Sequence, residues 1–462
     1  MSGVRITFTG MSGSGQMQYG FSVQSTQGGL PPHPPQTINL SPSDQVFVDL
    51  AQLVSDPNVD TPRVVDAGQT LHTMLHTHQN TAVALPSALN APANAPDRDI
   101  WLCFPPYDDA MRHLPWETLH DPSQGFIDND LGLPVVRMVD TKQDATQPPT
   151  ALPADGLRII SVIAADGLKT EGGREFKALY DALAAYIKPW TLHVYSSDQP
   201  VIDQITAIGN PRVQHHFVPA TATDLMTRIS NFKPQICHMF CHGVSVGQGA
   251  ARLELSTRGS QTNRATVEVK ASHLTAALPS SAWLVMLSAC NSGAAPGDSG
   301  SLATALVEDG VPIVVGMHEP TQVRTLHAFI KGFLAPVLTS LDQALAQNGR
   351  VPLSVASCLP AARQAICATF RKPNGNPAER MKGWSLPAMF VSSNPFHIEP
   401  GTDDDDDDDD DDTLAVLASL NRNRDMLQSF LDRMGGQISA EDATEIKARI
   451  ATIDREILES LR

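Results

Sequence analysis

The chain has 462 residues, of which 42% are hydrophobic, and a formal net charge of −17 at pH 7. This length allows two or three domains with a large core, and no run approaches the ~20 apolar residues of a membrane-spanning helix. Ten of the negative charges belong to one aspartate run, residues 403–412, and no Lys/Arg cluster with interleaved aromatic residues occurs, so nucleic-acid binding is disfavoured.

The cysteines and the N-terminus indicate the cell compartment. Several cysteines lie in apolar runs, as buried free thiols do, and the N-terminus lacks the charged-then-apolar layout of a secretory signal. We therefore expect a cytoplasmic protein with reduced thiols, not a disulfide-stabilised secreted one. The six cysteines are at positions 103, 237, 241, 290, 358 and 367.

Residues 1–150 are predicted to form an N-terminal α+β subdomain. Apolar residues alternate on either side of a Gly/Ser-rich segment in residues 4–26, which predicts a β-hairpin. A phosphate-binding loop is disfavoured there, because Gln16 replaces the lysine and no helical pattern follows. Further patterns predict helices from Ser43 and over 65–75, strands over 99–104 and 134–139, and a linker over 142–155.

Residues 151–400 show strands alternating with helices. This alternation predicts an α/β fold, in which a mostly parallel sheet of about six strands is covered on both faces by helices. Helices are expected over 175–186, 222–232, 301–308, 325–347 and 353–370. The six strands are expected at 158–164, 191–195, 236–242, 283–290, 311–315 and 386–391.

The C-terminal region is predicted to be separate from this body. The aspartate run in residues 401–412 should be a solvated linker, because like charges repel one another. Residues 414–434 and 438–461 then carry apolar side chains at helical spacing. We expect a helical hairpin over residues 413–462 that docks on a recruiting partner.

Two apolar runs of the body end in residues that carry chemistry. Cys290 closes one run and His242 closes another, and the carboxyl ends of neighbouring parallel strands face a common cleft. A nearby imidazole lowers the pKa of a thiol and then protonates the leaving amine. The sequence therefore indicates His242 and Cys290 as a catalytic dyad, with the backbone N–H groups of Gly243 and Cys290 as oxyanion donors.

Other interpretations of these residues were weighed. Cys237 and Cys241 should face one side of a strand while His238 and His242 face the other, so the four cannot converge on a metal ion. We expect no metal or cofactor, and we expect His238 to be a hydrogen-bonded core residue. The pair His318-Glu319 follows a strand and either lines the cleft or forms a plain loop. Cys290 by itself could also be a buried strand-end thiol.

The sequence resembles a known family at several places. The segments Cys237-His238-Met239-Phe240-Cys241-His242-Gly243 and Leu287-Ser288-Ala289-Cys290-Asn291-Ser292-Gly293 look like the paired motifs of the CHAT domain, a branch of the caspase-like cysteine peptidases. A histidine about fifty residues before the cysteine is also the caspase order. The resemblance covers residues 40–398 and implies a caspase-type sheet with His242 and Cys290 as the dyad. Further similar segments are residues 114–119, 310–317 and 384–390.

This resemblance implies a function. It predicts a cysteine endopeptidase that cleaves a protein partner at restricted sites, as a regulated effector in bacterial antiviral defence or cell death, for example by activating a gasdermin-like protein. Segments 244–268 and 293–300 should shape the cleft. An acidic pocket residue, for which Asp298 is the candidate, would select Arg or Lys, whereas an apolar pocket would select a residue such as Leu.

Two alternatives stay open. A catalytically silent CHAT-fold adaptor would signal through the C-terminal hairpin. A flavodoxin-like ligand-binding domain is the other alternative, but residues 166–174, after the first strand of the body, form no convincing Gly-rich loop.

Overall fold

The structure is a computed structural model that describes residues 3–13, 16–25, 35–38, 45–46, 48–50, 61–91, 98–104, 111–112, 114–141, 156–164, 170–244, 252–257, 265–278, 282–289, 301–318, 321–347, 351–370, 382–393, 396–398, 424, 428, 431 and 440–460. Several predicted features lie outside these residues: Cys290, Asp298, Glu319, the two linkers at 142–155 and 401–412, and segment 293–300. Residues 1–400 form one compact unit and residues 401–462 a second.

The strands with defined bounds belong to the first unit. They are β1 (Val4–Gly13), β2 (Gln16–Ser25), β3 (Gln36–Ile38), β4 (Ile100–Cys103), β5 (His120–Asp121), β6 (Gly125–Phe126), β7 (Val135–Val139), β8 (Leu157–Ile163), β9 (Trp190–Ser196), β10 (Val213–Phe217), β11 (Ile236–Phe240), β12 (His242–Val244), β13 (Arg252–Ser256), β14 (Thr266–Lys270), β15 (Leu284–Ser288), β16 (Ile313–Met317), β17 (Val351–Pro352), β18 (Pro387–Ser392) and β19 (His397–Ile398).

The helices alternate with these strands in the body. They are α1 (Thr61–His76), α2 (Thr81–Asn90), α3 (Glu171–Ala184), α4 (Gln199–Ile208), α5 (Ala222–Phe232), α6 (Ala271–Ala277), α7 (Leu302–Glu308), α8 (Val323–Leu345), α9 (Leu359–Thr369) and, in the second unit, α10 (Ala440–Ser460). Short 3₁₀ helices cover Trp116–Thr118, Ala356–Cys358 and Lys382–Ser385.

Local sequence signals set several helix ends. The hydroxyl of Thr221 accepts a hydrogen bond from the Asp224 N–H at the start of α5. The Ser301 hydroxyl does the same for Thr304 at the start of α7. These side chains satisfy backbone donors that have no partner within the helix. Helix α4 ends at Gly209, whose φ of 61° is a left-handed conformation that glycine adopts without strain.

Twelve strands form one sheet in the order β10-β9-β8-β11-β15-β16-β18-β7-β4-β1-β2-β3. The six strands from β10 to β16 are parallel to one another. Strand β18 is antiparallel to β16, and β7, β4 and β1 run parallel to β18. The prediction of an α/β fold with a mostly parallel sheet is confirmed, and all six predicted strands of the body are present.

The sheet has more strands than the six expected, for two reasons. Strands β1 to β4 and β7, from the predicted N-terminal subdomain, extend the sheet beyond β18. The hairpin predicted at residues 4–26 is present as β1 and β2, and β1 also pairs with β4. Strand β10 was not predicted because it lies at the sheet edge, where its partly exposed Val-Gln-His-His-Phe sequence forms no apolar run.

Helices cover both faces of the sheet. One core layer contains apolar side chains of α1, α2, α3, α4, α8 and α9, and the other contains those of α5, α6 and α7. In β11, Ile236 and Phe240 face the first layer, whereas Cys237 and Met239 face the second. This alternation explains why the strands of the body are apolar on both sides.

The second unit contains α10, which matches the second predicted helical segment of the tail. Residues 424, 428 and 431, from the first predicted segment, are also helical. The Arg424 guanidinium Nε lies 3.8 Å from a carboxylate oxygen of Asp454 on α10, so the two segments are neighbours within this unit. No helix in the described part of the chain is long and apolar enough to cross a bilayer.

Candidate active site

The His242 motif lies just beyond the carboxyl end of β11. All five residues of β11 are buried, and so is Cys241 after it. His242 was expected at the tip of this strand. It instead begins β12, which belongs to a separate three-stranded sheet of β12, β13 and β14. His242 and Gly243 are both half-buried, so the fully buried part of this segment ends at Cys241.

The predicted polar segment 244–268 contributes two strands to that small sheet. Leu253, Leu255, Val267 and Val269 are its buried inner side chains. On the other face, Glu254 pairs in register with His242 on one side and with Glu268 on the other. The Arg252 guanidinium lies 2.9 Å from the Glu268 carboxylate, while the Glu254 carboxylate contacts no cation among the described residues. Glu254 and Glu268 therefore lie in one row with His242, and Arg252 and Lys270 form the next row on the same face.

The Cys290 motif follows β15, the neighbour of β11 in the main sheet. The two strands are parallel, and Phe240 pairs with Ser288 at their carboxyl ends. Ala289, which directly precedes Cys290 in the chain, is buried. The pairing of β15 with β16 ends at Met286 and Val315, so at Ser288 the described backbone pairing of β15 is with β11 alone.

A polar cluster lies beneath this edge, in the first core layer. The His238 ring places Nδ1 2.9 Å from the Ser161 hydroxyl, and Nε2 2.9 Å from a Glu175 carboxylate oxygen and 3.2 Å from the Ser288 hydroxyl. His238 is therefore a hydrogen-bonded core residue, as predicted. Cys237 and Cys241 face the second core layer, so these four Cys and His side chains do not converge.

A second buried ion pair lies near the end of β16. The Nε and Nη2 groups of Arg137 donate hydrogen bonds to the two carboxylate oxygens of Glu117, at 2.9 and 2.7 Å. The guanidinium also donates to the carbonyls of Arg112 and Leu114. His318, which follows β16 directly, places Nε2 3.8 Å from the same carboxylate. His318 is 5% exposed, so its imidazole is packed against this pair and is not on the open surface.

Sequence reasoning missed Glu175 and Glu117. Glu175 lies on the buried face of α3 with Gly172, Phe176 and Leu179. A carboxylate in an apolar helix stripe is a detectable signal, since such a group must find a buried partner. Glu117 lies within a segment noted for its family resemblance, but nothing in its local pattern indicates Arg137 as partner. Among the described residues, no cluster of three or more His, Cys, Asp or Glu side chains could hold a metal ion.

The described residues define an α/β protein in which the His242-Gly243 segment follows β11 and Ser288 ends the neighbouring strand β15. A family model described as CHAT domain matches residues 65–389, more than half of the chain. The chain belongs to the CHAT domain family, as the sequence resemblance predicted.

Other comparisons add little. No curated protein matches the chain. Among solved structures it is similar to a chain in the crystal structure of the Saccharomyces cerevisiae separase–securin complex, with 14% sequence identity and a TM-score of 0.35. The similar region covers 71% of this chain and 18% of that one, so this chain spans less than a fifth of that protein's length.

Proposed function

We propose that this protein is a cysteine endopeptidase that cleaves a protein partner through His242 and Cys290. The register of β11 and β15, with Phe240 opposite Ser288, is the observation that supports the pairing most. Each dyad residue follows its strand by two positions, and neighbouring parallel strands lie ~4.8 Å apart. The two side chains are therefore expected to leave the sheet at the same level.

The chemistry of the dyad follows from this placement. The Cys290 thiolate attacks the scissile carbonyl carbon, and the imidazolium of His242 gives its proton to the leaving amine. Water then hydrolyses the thioester and regenerates the thiol. The backbone N–H groups of Gly243 and Cys290 are the proposed donors to the oxyanion, since each residue follows the carboxyl end of its strand in the chain.

The small sheet supports a preference for a basic substrate residue. The half-buried Glu254 is opposite His242 in register, and its carboxylate contacts no cation among the described residues. A lysine or arginine near the cut bond would supply that cation. Asp298 remains the sequence-based candidate for the pocket itself. Both groups favour substrates with a basic side chain over acidic ones.

The wider role is proposed from the family alone. We place the enzyme in the cytoplasm of a bacterium, as a regulated effector of antiviral defence or cell death that activates a gasdermin-like or other protein partner. The C-terminal unit is the proposed recruiting element. Identification of the protein partner by experiment would also give the sites at which it is cut.

To test this proposal, the full-length protein is incubated with proteins encoded by neighbouring genes. Any fragments are then mapped by mass spectrometry. Cys290→Ala and His242→Ala should each abolish cleavage and leave the thermal unfolding transition in place. Cys241→Ala is the matched control, because it removes a buried thiol next to His242 and should cost stability while leaving most of the activity.

Cleavage at the wild-type rate by Cys290→Ala would show that the enzyme assignment is wrong. Binding of a partner without cleavage, unchanged in both dyad variants, would instead favour the adaptor.

A further inference from the structure

One polar cluster interrupts an otherwise apolar layer of the core. Helices α3 and α8 cover one face of the sheet. On this face, most side chains of β8, β11 and β15 are apolar and buried. Near its carboxyl end, each strand instead carries a polar side chain that is at most 1% exposed; two of these residues pair in register, and the third, on β15, lies opposite Phe240, two residues further along. These residues are Ser161 on β8, His238 on β11 and Ser288 on β15.

The His238 ring is the centre of this cluster. Its Nδ1 reaches Ser161, with which His238 is paired in register, and its Nε2 is shared between Glu175 and Ser288 at 2.9 and 3.2 Å. One imidazole therefore connects three neighbouring strands to helix α3.

The cluster extends to a second helix. The other carboxylate oxygen of Glu175 lies 3.5 Å from Nε2 of His327 on α8, and Nδ1 of His327 lies 3.6 Å from Glu171. The buried carboxylate thus has a histidine on each side, and both α3 and α8 contribute side chains to the cluster.

Stability alone does not account for such a group. Burying a carboxylate and an imidazole costs desolvation that their mutual attraction often only balances, and apolar residues of similar volume frequently serve as well. A buried polar group has a clearer use where it fixes one arrangement among several.

The position of the cluster indicates which arrangement is fixed. His238 lies on β11, four residues before His242 in the chain, and Ser288 ends β15, two residues before Cys290 in the chain. Ser288 is the last residue of β15, and the described pairing of β15 with β16 ends two residues earlier, at Met286. Its side-chain contact with His238 therefore holds a strand end whose described backbone pairing is one-sided.

We infer that the hydrogen-bonded chain Glu175–His238–Ser288 is a positioning element that holds the end of β15 against the end of β11, and so fixes the separation of Cys290 from His242. This inference rests on the proposed dyad. The three residues act through the strand ends and do not touch the substrate, so they are positioning residues.

Two serines on the same imidazole provide a matched test. Ser288→Ala and Ser161→Ala each remove one buried hydroxyl from His238, so both should lower the thermal unfolding temperature by a similar amount. The distinguishing readout is the pH dependence of Cys290 alkylation by iodoacetamide, followed for the Cys290 peptide by mass spectrometry. This measurement requires no substrate.

We expect the alkylation midpoint of Cys290 to lie well below the ~8.5 of a free thiol in the wild type, to rise by roughly one pH unit in Ser288→Ala, and to stay at the wild-type value in Ser161→Ala. Ser288→Thr keeps the hydroxyl and should retain the wild-type midpoint. Glu175→Gln, on a helix remote from Cys290 in the chain, should shift the midpoint in the same direction as Ser288→Ala.

An unchanged midpoint in both Ser288→Ala and Glu175→Gln would overturn the inference, and so would equal shifts in the two serine variants. The proposed function fails separately, when Cys290→Ala still cleaves the partner. A wild type that cleaves through Cys290 together with identical midpoints in all variants would reject the positioning role and keep the enzyme.

Discussion

At the scale of single residues, the buried ion pair of Asp128 and Arg363 connects helix α9 to two strands of the main sheet. Asp128 and Arg363 are fully buried, with Arg363 Nε 2.8 Å from the carboxylate. The guanidinium also donates to the carbonyls of Trp384 and Pro387, while Asp128 accepts the Val135 N–H. Burial raises the pKa of Asp128 to about 6, and Arg363 opposes this shift. Helix α9 is thereby fastened to the starts of β7 and β18.

Removal of this cation should be costly. Arg363→Met leaves the Asp128 carboxyl group buried without its partner, and we expect the free energy of unfolding to fall by about 3–5 kcal/mol. Lys177→Met is the matched control, because it breaks the exposed Lys177–Asp181 pair on α3 and should cost less than ~1 kcal/mol. Denaturant unfolding measures both, and equal losses would contradict the expectation.

The buried cysteines should not react with alkylating reagents in the folded protein. Burial raises the pKa of Cys237 to about 12 and that of Cys358 to about 11, since a thiolate is disfavoured where water is excluded. In the folded protein at pH 8, we expect iodoacetamide to leave both unmodified, while the half-buried Cys367 reacts faster. Peptide-resolved mass spectrometry checks this, and all three should react in denaturant. Rapid modification of Cys237 in the native state would show that its strand opens.

At the scale of elements, the edge strand β10 is held by aromatic and imidazole stacking. The His193 ring on β9 stacks on Phe232 of α5 at 3.8 Å between ring centroids and lies 5.5 Å from the His216 ring of β10. Burial, followed by the nearby His216, lowers the pKa of His193 to about 4, and burial also lowers the pKa of His216. These contacts therefore require neutral imidazoles.

This edge should loosen in acid. Between pH 6.5 and about 4 the unfolded chain takes up protons that the folded edge excludes, so stability present above pH 6.5 is lost as pH falls through this range. We expect faster amide exchange in β10 and α5 at pH 5 than at pH 7, after correction for intrinsic rates.

His193→Phe keeps a stacking ring that cannot be protonated, and it should weaken this pH dependence. A local readout is necessary because the pKa of His72 is also lowered to about 4, mainly by burial, and contributes to global acid sensitivity. The same pH dependence of β10 exchange in wild type and His193→Phe would refute the assignment to His193.

At the scale of the whole molecule, the chain divides into a unit of residues 1–400 and a unit of residues 401–462. The first contains the family match and both dyad motifs. A hairpin of two helices buries little area by itself, so the second unit is expected to serve recruitment and not catalysis.

Deletion of residues 403–462 should separate these roles. We expect cleavage of a short peptide with a basic residue to be unchanged, and cleavage of the protein partner in the complete system to be impaired. A chain whose residues 403–412 are replaced by a Gly/Ser spacer of equal length is the control for the tether. Loss of peptide cleavage in the deletion would mean that the C-terminal unit is part of the catalytic body.

Local periodicity by itself determined the α/β class, the six strands of the body and the order of the His242 and Cys290 motifs. These features are predictable because a strand buried on both faces must be apolar throughout, whatever its neighbours are. The same argument correctly placed His238 in the core, since a lone imidazole in such a strand must find hydrogen-bond partners there.

Only the tertiary structure decided which groups those partners are. Glu175 is 63 positions from His238 and Ser161 is 77 positions away, and their meeting depends on the strand order β8-β11-β15 and on α3 crossing that face. The same holds for the continuation of the sheet through β18 to β7, β4 and β1. The periodicity of a segment reports which of its faces is buried, but the partner on that face is set by long-range packing, to which no local pattern corresponds.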